Sequence, residues 1–226
     1  MTTEIAMILS GILFWLILIL YLPMAAFGYK IGLGPYDSDA ELQKINKHPK
    51  KLKIGIVLAI IDHVSIIALA ILLFVVFSPY NLILGIVWII FRIGEGLGQI
   101  YNEKKYWGLL NIARQYSGTS GARKKSLSDS ALNILKTRDS RFNFTQILWS
   151  IGTIAFSIVL VTYGVVPQFI GWSGIAASIL MGFGNWIKLV KPDFKAFGVL
   201  LFIGFLPAIL FEVSIGGWLI FVHTIP

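Results

Sequence analysis

The sequence predicts an all-α membrane protein with six membrane-spanning helices, and three observations support that fold class. Of its 226 residues, 57% are hydrophobic and the mean hydropathy is +0.81, which is too apolar for a soluble domain of this size. Several apolar runs exceed the roughly 18 residues that a spanning helix needs. Every Lys and Arg except Arg92 lies in or beside three of the loops between these runs.

The apolar runs define the six spans within one domain, residues 1–226. The first run is too long for the core of a signal peptide, so we interpret it as a span. Ser78-Pro79 forms a tight turn between the second and third spans. The predicted spans are residues 5–27, 54–77, 80–101, 142–163, 169–189 and 197–222, and the predicted cytoplasmic loops are 28–53, 102–141 and 190–196.

Short amphipathic helices are expected in the two larger loops. After a break at Gly32, Gly34 and Pro35, either Asp37 or Ser38 can cap a helix that ends near residue 46. In the longest loop, apolar and aromatic residues recur at helical spacing, which predicts a helix at the membrane interface. They are Tyr106, Leu109, Leu110, Ala113 and Tyr116. A flexible break at 117–121 precedes a second short helix, predicted at 128–136.

The charge distribution predicts the orientation and excludes one class of partner. The net charge of +8 would suggest nucleic acid binding in a soluble protein, but here membrane topology accounts for it. The positive-inside rule places the basic loops in the cytoplasm and both termini outside, in a multi-pass protein of the cell membrane. The bilayer is therefore the expected partner, and nucleic acid is not. With no cysteine, the chain has neither disulfides nor thiolate metal ligands.

The third span carries two charged residues in an apolar setting. Each of Arg92 and Glu95 costs about 2.5–3.5 kcal/mol near the middle of a spanning helix, so the fold must offset this cost. They lie three residues apart and share a face, which Gln99 continues by one turn. This polar stripe should face other helices. Gly94 and Gly98 beside it allow a neighbouring helix to approach closely.

Ionisable residues in two other spans extend this polar set. Asp62 lies at a similar height to Arg92 on the neighbouring helix, which predicts an ion pair between them. Glu95 should contact the same guanidinium, and Glu212 should lie nearer the outer side. The candidate ligand-binding or proton-binding residues are Asp62, His63, Arg92, Glu95, Gln99 and Glu212.

Two interpretations of this cluster remain open. In one, Arg92 holds helices together and binds no substrate; in the other, the cluster lines a hydrated cavity. Three carboxyls face one guanidinium, so either a carboxyl is protonated, His63 is charged, or a cation is missing. The second interpretation predicts a protein that binds or moves a small molecule, ion or lipid, with Glu95 or Glu212 exchanging a proton.

Two alternative functions are a non-catalytic scaffold or accessory subunit of a membrane complex, and an intramembrane lipid enzyme with a metal at His63. Hydrolytic zinc sites usually have several histidines, and only His63 lies within a span, so the sequence favours no metal, no cofactor and no enzymatic activity. Whether the chain forms a homo-oligomer stays open, because the glycine pairs can pack within or between chains. The pairs are Gly94/Gly98 and Gly171/Gly174.

Several short motifs, in this order and spacing, resemble a known family. They are Phe91-Arg92-Ile93-Gly94-Glu95-Gly96, Val166-Pro167-Gln168-Phe169-Ile170-Gly171, Pro207-Ala208-Ile209-Leu210-Phe211-Glu212 and Trp218-Leu219-Ile220. The chain thereby resembles the six-helix prokaryotic membrane proteins grouped as domain of unknown function 4386. The resemblance implies six spans and prominent roles for Arg92, Glu95 and Glu212, but no substrate. It also implies a histidine near the start of the fourth span, where this chain has Gln146 and Trp149 instead.

Overall fold

A computed structural model describes residues 2–29, 36–194 and 197–222, and this part of the chain is helical, without β-strands. The helices are α1 (Thr3–Ala26), α2 (Ser38–Lys47), α3 (Pro49–Phe77), α4 (Leu82–Trp107), α5 (Leu109–Ser117), α6 (Gly121–Tyr163), α7 (Gln168–Val190) and α8 (Phe197–Phe221). Six are long and apolar enough to cross a membrane: α1, α3, α4 with α5 continuing it, α6, α7 and α8. The predicted all-α, six-span fold is therefore confirmed, and the chain is a multi-pass membrane protein.

Helix ends are set by local capping chemistry. Of the two capping candidates, Asp37 caps α2, because its Oδ1 accepts a hydrogen bond from the Ala40 N–H at 3.0 Å. Asn81 caps α4 in the same way, accepting from the Leu84 N–H at 3.1 Å. Gly164 ends α6 with a φ of 61°, in the left-handed region that glycine adopts without strain. The sharp turns between spans are thus encoded locally.

One predicted loop element was wrong. The separate short helix at 128–136 does not exist, because α6 runs without interruption from Gly121 to Tyr163. Residues 128–141 contain neither proline nor glycine, so nothing in that stretch breaks the helix where it leaves the apolar span. The predicted break at Gly32, Gly34 and Pro35 lies outside the described residues.

The six spans form a closed ring in which each helix packs against two neighbours. The order around the ring is α1, α3, α4, α6, α7 and α8, with α8 returning to α1. The last contact is close, since a Cβ on Gly11 would lie only 2.5 Å from the backbone oxygen of Gly216. We call the end of the ring that carries residues 28–29, 36–53, 102–141 and 190–194 the basic end.

Two apolar cores fill the ring at different heights. Toward the end opposite the basic end, Phe156 packs against the rings of Phe77, Trp88 and Phe211 at centroid distances of 5.1, 4.8 and 6.4 Å. We call these four residues the aromatic layer. At the basic end, α2 and α5 cover a second core that contains Leu42, Tyr106 and Leu135 among others. The polar residues of the spans lie between the two cores.

Both glycine pairs pack within this chain. A Cβ on Gly98 would lie 2.8 Å from Thr145 of α6, and one on Gly94 would lie 3.5 Å from Leu148. A Cβ on Gly171 would lie 2.5 Å from Val161 of α6, while Gly174 approaches α6 and α8. These glycines therefore serve close contacts between helices of one ring.

Candidate functional site

Polar side chains from α3 and α4 meet between the two cores. Asp62, His63, Arg92, Glu95 and Gln99 are all buried, with at most 7% of each residue exposed. Glu212 of α8 is partly buried, and its carboxyl interacts electrostatically with Arg92 and Asp62. The structure therefore brings the residues singled out in the sequence into one region of the ring.

Arg92 pairs within its own helix. Its Nη1 donates to Oε2 of Glu95 at 2.5 Å, and its Cζ lies 5.2 Å from the centroid of the Trp88 ring. The predicted ion pair between Asp62 and Arg92 was wrong, because these two side chains do not approach within 4.0 Å. Glu95 lies one turn along the same face of α4, so it meets the guanidinium before a carboxylate on another helix can.

Two glycines make room for this arrangement. A Cβ on Gly152 of α6 would lie 3.0 Å from Cγ and 3.1 Å from Cδ of Arg92, so the stem of the arginine lies against the bare backbone of α6. A Cβ on Gly96 would lie 3.1 Å from the backbone oxygen of His63. The short distance between α3 and α4 at this level places the Asp62–His63 segment beside the face that carries Glu95.

Asp62 and His63 hold buried polar atoms that lack hydrogen bonds. Nδ1 of His63 lies 3.3 Å from Oδ2 of Asp62, within ion-pair distance but without hydrogen-bond geometry. Among the residues that the structure describes, Oδ1 of Asp62, both ring nitrogens of His63 and Nε of Arg92 have no hydrogen-bond partner. A buried polar atom without a partner costs about 1–3 kcal/mol, so such a concentration is typical of a functional site.

Asp62 and His63 lie on the wall of a small cavity. Its polar lining comes from Tyr29, Asp62, His63, Glu95 and Gln99, among others, and its volume is about 20 Å³. This is enough for one water molecule with several polar neighbours. Gln99 is fixed on the cavity wall, because its Nε2 donates to Oγ1 of Thr145 in α6 at 2.7 Å. Arg92 and Glu212 do not line the cavity.

A second buried polar cluster, which the sequence analysis missed, lies next to the cavity at the basic end. Glu103 is fully buried, accepts a hydrogen bond from the Tyr29 hydroxyl at Oε1, and has Nη2 of Arg138 at 3.8 Å from the same oxygen. The guanidinium of Arg138 lies 4.3 Å from the centroid of the Tyr29 ring and 4.0 Å from that of Tyr106. Oε2 of Glu103 has no hydrogen-bond partner in the described part of the chain.

Arg138 was missed because its charge was attributed only to the positive-inside pattern of the long loop. A signal was present, however. Ala131, Leu135 and Arg138 are spaced by four and three residues, so they share one face of α6 with Thr145 and Trp149. All five are buried. Extending the buried face of the span backwards through the loop would have predicted a buried arginine.

Tyr29 belongs to both polar clusters. It lines the cavity, and its hydroxyl bonds to Glu103. Burial raises the pKa of Tyr29 well above its ordinary value, an effect that the nearby Arg138 partly opposes. The hydroxyl therefore keeps its proton at physiological pH and acts as a neutral donor and acceptor.

Comparison with known proteins places the chain in a family. The family described as "Domain of unknown function (DUF4386)" matches residues 9–222. The chain belongs to this family. The match confirms the resemblance seen in the sequence motifs, whereas no curated protein and no solved structure matches the chain.

The DUF4386 assignment supplies an architecture and no activity, so the chemistry has to come from the site. Gln146, which lies in the region where the family resemblance implies a histidine, is one of the residues that line the cavity. Among the residues that the structure describes, no group of three or more His, Cys, Asp and Glu is arranged to hold a metal ion. What this DUF4386 protein offers at the cavity is carboxyl, imidazole, amide and phenol groups.

Proposed function

We propose that this integral membrane protein binds and exchanges a proton at the cavity, with Asp62 and His63 as the exchanging groups. The observation that carries the proposal is the set of buried, unpartnered polar atoms on these two residues beside a cavity of about 20 Å³. A carboxylate and an imidazole 3.3 Å apart can share a proton with one water molecule between their free atoms.

The charges of the region support this assignment. Arg92 pairs with Glu95, and in the described residues no guanidinium lies within ion-pair distance of the carboxyls of Asp62 and Glu212. An uncompensated charge within a span is costly, so protons on Asp62, His63 or Glu212 would neutralise the remainder. Glu95, held at 2.5 Å by Arg92, is better suited to fix the local charge than to exchange a proton.

The size of the cavity favours a proton over larger cargo. Small-molecule sites usually enclose about 300–1,000 Å³. The cavity of this protein, at about 20 Å³, matches one water molecule and is too small for a lipid headgroup. Among the ligands that a buried charged cluster can bind, a proton is therefore the one that fits without rearrangement of the ring.

Infrared titration of the protein in lipid nanodiscs tests the proposal. We expect the wild type to show a carboxylic acid C=O band that disappears as the pH is raised, and Asp62→Asn to lose that band. Glu4→Gln, which changes an exposed glutamate at the start of α1, is the control and should leave the band unchanged. A band that survives in Asp62→Asn and is lost in Glu95→Gln would move the site to Glu95, and a wild type without such a band would refute proton exchange.

The positive-inside rule further supports a cytoplasmic location for the basic end. Because the chain lacks cysteine, single introduced cysteines report orientation without background. In intact cells, a membrane-impermeant maleimide should label Gln168→Cys, at the start of α7, and should not label Lys50→Cys in the first turn of α3. Both positions are exposed, so the opposite labelling pattern would reverse the proposed orientation.

A further inference from the structure

The groups that flank the cavity differ sharply between its two sides. Toward the end opposite the basic end, the buried Arg92 is paired with Glu95, and the aromatic layer fills the ring beyond it. Toward the basic end, the buried residues Glu103 and Arg138 follow directly after Tyr29. The side toward the basic end therefore offers a buried carboxyl that is hydrogen-bonded to a residue of the cavity wall.

Tyr29 is the one residue of this polar set that touches both regions. It lines the cavity together with Asp62 and His63, and its hydroxyl donates to Oε1 of Glu103. The other oxygen of Glu103 is buried and unpartnered, so it can accept a proton without breaking an existing bond.

Building on the proposed function, we propose that Tyr29 and Glu103 form the path by which protons pass between the cavity and the basic end. In the inward step, Glu103 takes up a proton at Oε2. The carboxyl group then turns so that its protonated oxygen faces Tyr29, and the Tyr29 hydroxyl gives its hydrogen to water in the cavity while it takes the proton from Glu103. Tyr29 ends neutral, Glu103 returns to a carboxylate beside Arg138, and the cavity gains one proton that Asp62 or His63 receives.

The groups that face Glu103 fit this role. Arg138 on α6, whose Nη2 lies 3.8 Å from Oε1 of Glu103, stabilises the carboxylate form after the proton has left. Tyr106 on α4 and Tyr29 hold the guanidinium of Arg138 between their rings, and His63 of α3 lies on the cavity wall. Glu103 therefore lies between a fixed counter-charge and the hydroxyl that leads to the cavity.

The test is the rate at which the Asp62 carboxyl band changes after a pH jump, measured by time-resolved infrared spectroscopy in nanodiscs. Tyr29→Phe keeps the ring that stacks with Arg138 and removes the hydroxyl, and Glu103→Gln keeps the acceptor for Tyr29 but cannot carry a proton. We expect both variants to slow the change about tenfold or more. The amplitude of the equilibrium titration should be retained.

Tyr36→Phe is the matched control. The Tyr36 hydroxyl also donates to a carboxylate at the basic end, Oδ1 of Asp139 at 2.5 Å, but Tyr36 does not line the cavity. The carboxyl band of the Tyr36→Phe variant should therefore change at the wild-type rate. Unchanged rates in both Tyr29→Phe and Glu103→Gln would overturn the path and leave the proposed proton site intact. Loss of the equilibrium band in Tyr29→Phe would also overturn it, since Tyr29 would then belong to the binding site. A wild type without a titrating band would refute the site and the path together.

Discussion

Replacing Arg92 with methionine is expected to lower the free energy of unfolding by about 3–5 kcal/mol. The guanidinium is buried and donates to Oε2 of Glu95 at 2.5 Å, so its removal leaves a carboxylate without a counter-charge inside the ring. The arginine stem also fills the space above Gly152 and lies near the Trp88 ring. Unfolding titrations with sodium dodecyl sulfate in mixed micelles would measure the loss.

The double variant Arg92→Met with Glu95→Gln separates loss of the charge pair from loss of packing. Because it removes both charges and keeps both volumes, we expect it to recover most of the stability that the single variant loses. Asp62→Asn combined with Arg92→Met should give no such recovery, since Asp62 is not within ion-pair distance of Arg92. An Arg92→Met protein as stable as the wild type would show that the pair does not stabilise the fold.

A comparable loss, about 3–5 kcal/mol, is expected for Arg138→Met. Arg138 compensates the fully buried Glu103 and lies between the rings of Tyr29 and Tyr106, at 4.3 and 4.0 Å from their centroids. Arg138→Lys should retain only part of the stability that Arg138→Met loses, because an ammonium group lacks the planar shape that stacks between two aromatic rings. The same micelle titration would measure both variants.

Arg141→Met provides the matched control for Arg138. Arg141 lies one turn further along α6, and its guanidinium is 5.0 Å from the centroid of the Tyr101 ring at a partly exposed position. An exposed cation–π contact of this kind contributes about 0.5–1 kcal/mol, so the loss should be small. Equal losses at positions 138 and 141 would contradict the idea that Arg138 is the buried counter-charge of Glu103.

The sequence was sufficient for the architecture because hydropathy and the placement of basic residues respond to the bilayer itself. It was insufficient for the partners of buried charges. Depth along a span can be read from residue number, but the rotation of each helix about its axis cannot, and this rotation decided that Arg92 pairs with Glu95 and not with Asp62. Arg138 was missed for a related reason, since α6 continues past the apolar span and carries its buried face with it.

The aromatic layer has a consequence for how the molecule can operate. The ring centroids of Trp88 and Phe156 are only 4.8 Å apart, and the indole Nε1 of Trp88 donates to the Ala70 carbonyl at 3.0 Å. These side chains fill the ring between the cavity and the end opposite the basic end. Net passage of a proton across the whole ring therefore requires a second conformation in which these aromatic side chains separate. The hydrogen bond from the Trp88 indole to Ala70 stabilises the closed arrangement.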